Sequence, residues 1–292
     1  MQNFKAYTHS FTEMFALLSE LIRNRCVNPP GNEMRSIKSI ELYLSEQGIK
    51  SRVYEPAPGR GNLTARISGS GDGPILMLGP GHVDVVPVEN VEVWDVDPFA
   101  AAVRDGYIWG RGSHDMLFMV TAHVQAFVDF HKIGVRQRGD LVLLVVSDEE
   151  DEGALGTQWM IEHHPEVMET DYAVSEAGGW LRRPGEVVFT YGEKGDVNIS
   201  PVESVFVSLM EEAVQREIPS ARLVPELMPG KTDLKYLRKL GVEAYGFGLY
   251  DPDTPLDARV VHGPNERVSL RTLELTHRVY YNLAKIFSQQ SH

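Results

Sequence analysis

Six consecutive apolar residues, Leu141–Val146, run straight into Ser147-Asp148-Glu149-Glu150-Asp151-Glu152, and no other feature restricts the fold of this chain so strongly. Side chains alternate sides along a strand, so a short run that is apolar at every position predicts a central strand covered by helices above and below. Helical signals recur around it at residues 34–47, 116–132, 156–163, 205–217, 231–240 and 270–287, with Gly48 and Gly134 closing the first two. Between them lie β-rich runs at 51–54, 63–67, 75–78, 172–174, 187–191 and 242–249. The alternation predicts an α/β chain, three layers deep (α/β/α), with a central mixed sheet. The Gly/Pro-rich stretches 55–61 and 69–74 are expected to be loops between strands rather than domain boundaries.

Carboxylates and imidazoles crowd the carboxyl ends of these strands. Gly81-His82-Val83-Asp84 follows the run at 75–80, and in extended chain His82 and Asp84 point to the same side. Asp148 to Glu152 follow the buried strand, and Glu176 follows 172–174. Asp115 opens a helix after the turn Gly110-Arg111-Gly112. Open α/β sheets bind ligands outside the carboxyl ends of their strands. Each of these residues taken alone reads as part of a solvated acidic rim, as His163 and His164 do at the end of a predicted helix. The set together predicts a cation site, because several carboxylates packed without a cation are costly.

Composition excludes other classes. With 28 Lys and Arg against 41 Asp and Glu the formal net charge is −13, and a surface that acidic repels phosphate backbones and anionic lipid. Neither nucleic acid nor membrane is expected as a partner. Cys26 is the single cysteine, so no internal disulfide can form, and no Cys/His signature marks it as reactive. Residues 1–25 carry Phe11, Met14, Leu18, Leu21 and Ile22 at helical spacing. They predict an amphipathic first helix rather than a signal peptide or a span, and cytoplasmic residence is expected.

Five motifs then resemble one family. Gly81-His82-Val83-Asp84-Val85-Val86-Pro87 with Trp94 and Asp97-Pro98-Phe99, Gly110-Arg111-Gly112-Ser113-His114-Asp115-Met116, Asp148-Glu149-Glu150 with Glu176, Gly230-Lys231-Thr232-Asp233, and His262-Gly263-Pro264-Asn265-Glu266 follow one another in the order of the M20 metallopeptidases. That family includes aminoacylases, acetylornithine-type deacetylases and glutamate carboxypeptidases. The resemblance implies a zinc-peptidase-like fold holding two Zn²⁺, with Mn²⁺ or Co²⁺ also compatible with the N/O ligands. It implies His82 and Glu176 on one metal, Glu150 and His262 on the other, and Asp115 bridging both. Glu149 would be the general base. Asp84 would accept the second ring N–H of His82, and Asp233 would lie in or near the site. Trp94, Pro98 and Phe99 are expected to pack around the metal loop, Gly110 and Gly112 to shape the turn before Asp115, and residues 250–261 to wall the substrate pocket.

Two departures stand out. After Tyr191-Gly192-Glu193-Lys194-Gly195, where the family builds a separate lid and dimerisation domain, only Asp196 to Ser204 precede the next helix. The expected organisation is one catalytic domain over 1–292, lidless near 195–205, and monomeric. Leu117-Phe118-Met119 stands where the family has Lys-Gly-Gly, which changes the helix start and the pocket floor. The implied activity is hydrolysis of amide bonds in a small-molecule or peptide substrate, either N-acyl amino acid deacylation or carboxypeptidase cleavage. The alternatives are a monomeric aminopeptidase resembling the M28 peptidases and a metal-binding core without turnover.

Overall fold

The computed structural model describes residues 9–134 and 137–290, so the part of the predicted first helix before residue 9 lies outside the described residues. The strands are β1 (Ser51–Ala57), β2 (Arg60–Ile67), β3 (Leu76–His82), β4 (Ala102–Arg104), β5 (Tyr107–Trp109), β6 (Leu141–Val146), β7 (Tyr172–Ser175), β8 (Leu181–Arg183), β9 (Glu186–Glu193), β10 (Arg222–Met228), β11 (Glu243–Gly246) and β12 (Arg267–Ser269). Nine of them form one sheet in the order β1-β2-β6-β3-β7-β11-β9-β10, with β8 on β9, while β12-β5-β4 make a small separate sheet. The central strands β6, β3, β7 and β11 run parallel, whereas β1 and β2 are antiparallel to their neighbours. The sheet is mixed, as expected.

Period-two alternation sorts the core. Leu141, Leu143 and Val145 of β6 face one side with Leu76 and Leu78 of β3. There they meet α1 (His9–Asn24), α2 (Met34–Glu46), α3 (Phe118–Ile133), α6 (Val205–Gln215) and α8 (Leu270–Ser288). Val142, Leu144, Val146 and Met77 face the other side, under α4 (Thr157–His163), α5 (Pro165–Met168) and α7 (Leu234–Lys239). Every residue of β6 is buried, and helices cover both faces of the sheet, giving three layers.

The departures from sequence expectation have local causes. Residues 55–61 are a hairpin rather than a loop: β1 continues to Ala57 and pairs with Arg60 across a turn at Gly59, whose φ is +81°. The edge strand β10 escapes the pattern because Pro225 interrupts its apolar residues. A proline in a ladder is tolerated at an edge, and β10 pairs on one side only, with β9. The helix expected from residue 116 starts at Phe118, after a turn over Ser113–Leu117 in which Asp115 is extended (φ −119°, ψ 101°).

Candidate metal centre

Three parallel strands deliver residues to one edge. β3 ends at His82, β6 leads into the turn carrying Glu149 and Glu150, and β7 leads into Glu176. Asp115 arrives from the turn before α3, which begins at Gly112 with φ +82°. A Cβ on Gly112 would stand 2.3 Å from Val85 Cγ1, so only glycine fits there. His262, with φ +61°, comes from the loop before β12.

The two oxygens of Asp115 face two different histidines. Oδ1 lies 3.4 Å from His82 Nε2, and Oδ2 lies 3.0 Å from His262 Nε2. Each histidine has further carboxylates of its own: Glu176 at 3.7 Å and Glu149 at 3.8 Å from His82 Nε2, and Glu150 at 3.2 Å from His262 Nε2. Ligand atoms of His82, Glu149 and Glu176 all lie within 4.8 Å of one another, as do those of His82, Asp115 and Glu150. The structure thus brings together His82, Asp115, Glu149, Glu150, Glu176 and His262.

His82 Nδ1 lies 3.0 Å from the Asp84 main-chain carbonyl, an acceptor only, so it carries the proton and leaves a lone pair on Nε2. That Nε2 is buried, has no hydrogen-bond partner, and faces the carboxylates; Glu150 Oε1 is likewise buried and unpartnered. A lone pair ringed by carboxylate oxygens demands a proton or a cation. Like charges at 4–5 Å repel by roughly 3–4 kcal/mol per pair at an effective dielectric of about 20. The titration behaviour reflects this crowding. Burial, then the Glu176 charge, pushes Glu149 well up, and burial pushes Glu176 up to about 7. Hydrogen bonds to Asp115 and Glu150 push His262 up to about 10. Burial opposes charging of His82, but the facing carboxylates of Asp115, Asp84 and Glu176 outweigh it and raise its pKa. The N/O donors, the orphaned atoms and the crowding fit divalent cations.

Asp84 does more than the sequence suggested, and differently. The His82 ring bonds its main-chain carbonyl, while its carboxylate stands 3.5 Å from Nδ1 and accepts the backbone N–H groups of Glu149 and Glu150 and the amide of Asn28. One buried side chain therefore fixes the turn that carries two acids. Asn28 also donates to Asp148, which Arg60 holds in turn, and Arg60 pairs with Glu33. Asn28, Arg60 and Glu33 gave no signal in the sequence, because their partners lie 27 to 120 residues away.

Glu266 is the other unforeseen support. It is fully buried and accepts the backbone N–H groups of Gly112, His114 and Asp115. Arg111 binds it at 2.6 Å, donates to the His262 carbonyl, and lies 5.4 Å from the Trp94 ring. Glu266 and Arg111 so tie the Asp115 turn to the His262 loop. Trp94 packs there as expected.

Asp233 stands one layer back. Thr157 donates to it, and burial pushes it up to about 6. His114 belongs to neither ligand group; its Nε2 lies 3.1 Å from the Tyr250 hydroxyl on the wall of the neighbouring cavity. His163 stacks on Trp159 and His164 packs on Tyr54. Cys26 is buried against Ser36, and burial pushes its thiol up, which keeps it unreactive. Beside Asp115 and Glu176 opens a cavity of about 490 Å³, walled partly by Tyr250, Leu256, Arg259 and Val261 and floored partly by Met119. Among the described residues no helix is long and apolar enough to cross a membrane.

The model of the peptidase family M20/M25/M40 matches residues 80–286, which contain the whole cluster. This chain belongs to the M20 peptidase family. Among its curated relatives is a succinyl-diaminopimelate desuccinylase of Parvibaculum lavamentivorans, 33% identical over 184 residues, 61% of this chain and 45% of that protein. Another of the same name from Leptothrix cholodnii is 37% identical over 143 residues, 49% of this chain and 37% of that protein. The chain thus spans less than half the length of these curated relatives. Among solved structures, an M20 family metallo-carboxypeptidase from Sulfolobus solfataricus superposes with a TM-score of 0.75 at 12% identity, covering 97% of this chain and 100% of that one. That likeness speaks to the fold, an M20 fold with a central mixed sheet.

Proposed function

We propose that this M20 chain is a metal-dependent hydrolase of amide bonds that holds two divalent cations, zinc foremost, and acts on an N-acyl amino acid or a small peptide. The observation that carries the reading is Asp115, whose two oxygens face two histidines, each with a carboxylate of its own. His82 and Glu176 would hold one ion, Glu150 and His262 the other, and Asp115 both. When bound, such a pair supplies Lewis acidity toward a scissile carbonyl and lowers the pKa of water.

The side chains do the rest. Glu149 lies within the cluster, 3.8 Å from His82 Nε2, with its pKa raised by burial and by Glu176, which suits a group that takes a proton from the attacking water and returns it to the leaving amine. Asp84 orients both His82 and the turn bearing Glu149 and Glu150. The mostly apolar cavity beside Asp115 would shield part of a bound substrate from water.

The passage from β9 to α6 through residues 194–204, with no helix or strand of its own, supports a single catalytic domain without the lid. A monomer would follow. The test is metal analysis with turnover: zinc-reconstituted protein is expected to hold two ions per chain and to release amine from N-acetyl amino acids, with activity abolished by a chelator. Stoichiometry well below one that is unchanged by His82→Ala or Asp115→Ala would overturn the reading.

A further inference from the structure

The cavity beside Asp115 and Glu176 is mostly apolar, its wall including Met119, Trp180, Leu181 and Met228. Arg259 is the single cation among its described lining residues. Its Nη2 donates to the Thr254 carbonyl at 3.1 Å, while its Nε is buried without a hydrogen-bond partner. Among the described residues no carboxylate pairs with it, although the chain carries many more acids than bases. The Tyr250 hydroxyl on that wall is already engaged with His114 Nε2. A half-buried guanidinium left unpaired in an apolar wall is costly, and a planar fork of donors matches a carboxylate.

Resting on the hydrolase reading above, we propose that Arg259 is a specificity-determining residue that pairs with a substrate carboxylate while the apolar wall takes an adjoining apolar side chain. A substrate placed with its amide over Asp115 and Glu176 directs its neighbouring groups into this cavity. The carboxylate belongs either to the leaving amino acid or to the far end of a dicarboxylic acyl group. Both sources share the chemistry that Arg259 recognises, and substrates separate them.

Binding is measured first, by calorimetry on zinc-loaded protein with two probes that contain no amide bond, 3-phenylpropanoate and 3-phenylpropanol. The parent is expected to bind the carboxylate at least tenfold more tightly, and Arg259→Gln, which keeps a donor for Thr254, should lose most of that preference. A direct bond from the probe to zinc would persist in the variant, so the difference between proteins reads Arg259. Turnover is then compared on N-acetyl-phenylalanine, N-succinyl-phenylalaninamide and N-acetyl-phenylalaninamide. The favoured carboxylate substrate should lose tenfold or more in kcat/KM through KM in Arg259→Gln, and the neutral amide should change less than threefold. Equal binding of the two probes by the parent, or an unchanged preference in the variant, overturns the assignment. Absence of turnover on every amide with the carboxylate preference intact would instead overturn the hydrolase reading and leave Arg259 as an anion site.

Discussion

Replacing Glu266 with alanine isolates the strut that joins the Asp115 turn to the His262 loop. The substitution removes a fully buried carboxylate that accepts three backbone N–H groups and the Arg111 guanidinium, itself 2% exposed. Stranding one member of a buried ion pair costs about 3–5 kcal/mol, and each orphaned N–H adds ~1–3 kcal/mol. Water entering the vacated space recovers part of this, and Arg111 keeps its bond to the His262 carbonyl. A net loss of roughly 4–6 kcal/mol follows, a large fraction of the ~5–15 kcal/mol that stabilises an ordinary domain. At about 2–4 °C per kcal/mol for a chain of this size class, the melting temperature should fall by roughly 10 °C or more. Burial pushes the Glu266 carboxyl up to about 7 against the pull of Arg111 and the amides, so calorimetry is run at pH 8, where the side chain is ionised. Loosening the Asp115 turn should also weaken zinc binding ~10–100-fold. Glu266→Gln, which keeps one accepting oxygen, should fall between. A melting temperature within about 2 °C of the parent together with an unchanged zinc affinity would refute the strut.

Three further outcomes follow from the same geometry. Glu149→Gln should lower kcat by ~10²–10⁴ while zinc stoichiometry is kept; loss of an ion instead would make Glu149 a ligand, as its closeness to His82 and Glu176 allows. Metal-free protein should lose stability between pH 6.5 and 9. His262 is raised to about 10 by its carboxylates, so its contribution is complete below 6.5 and drains away as pH climbs toward 10, and the upper end of the Glu176 titration near 7 adds to the loss. Scanning calorimetry with and without chelator checks this, and a metal-free melting temperature that rises over that window would contradict it. His123→Leu should leave stability unchanged or higher, because both ring nitrogens are buried without partners against Tyr280 and burial holds the ring neutral down to about 3. A loss above ~1 kcal/mol in urea unfolding would show a hidden partner.

Much of the fold was legible because it depends on local patterns. Leu141–Val146 announced a strand buried on both faces, and alternation sorted its residues into the two cores. The acids and histidines at the ends of 75–80, 141–146 and 172–174 announced which edge would carry chemistry. Period and position are properties of neighbours in sequence, so they survive without coordinates.

What the tertiary structure alone decided are partnerships between distant residues. Glu266 lies 151 to 155 residues from the groups it holds, and Asn28 reaches Asp148 across 120. Asp84 was expected to serve His82 through its carboxylate, yet it gives that histidine its main chain and spends the carboxylate on the Glu149–Glu150 turn. The edge strand β10 and the hairpin at Gly59 depend on which strand lies beside them rather than on their own composition. A buried polar group must find a donor or acceptor wherever the folded chain supplies one. Sequence therefore determined the layers and the residue types at the site, and folding decided which side chains hold them in place.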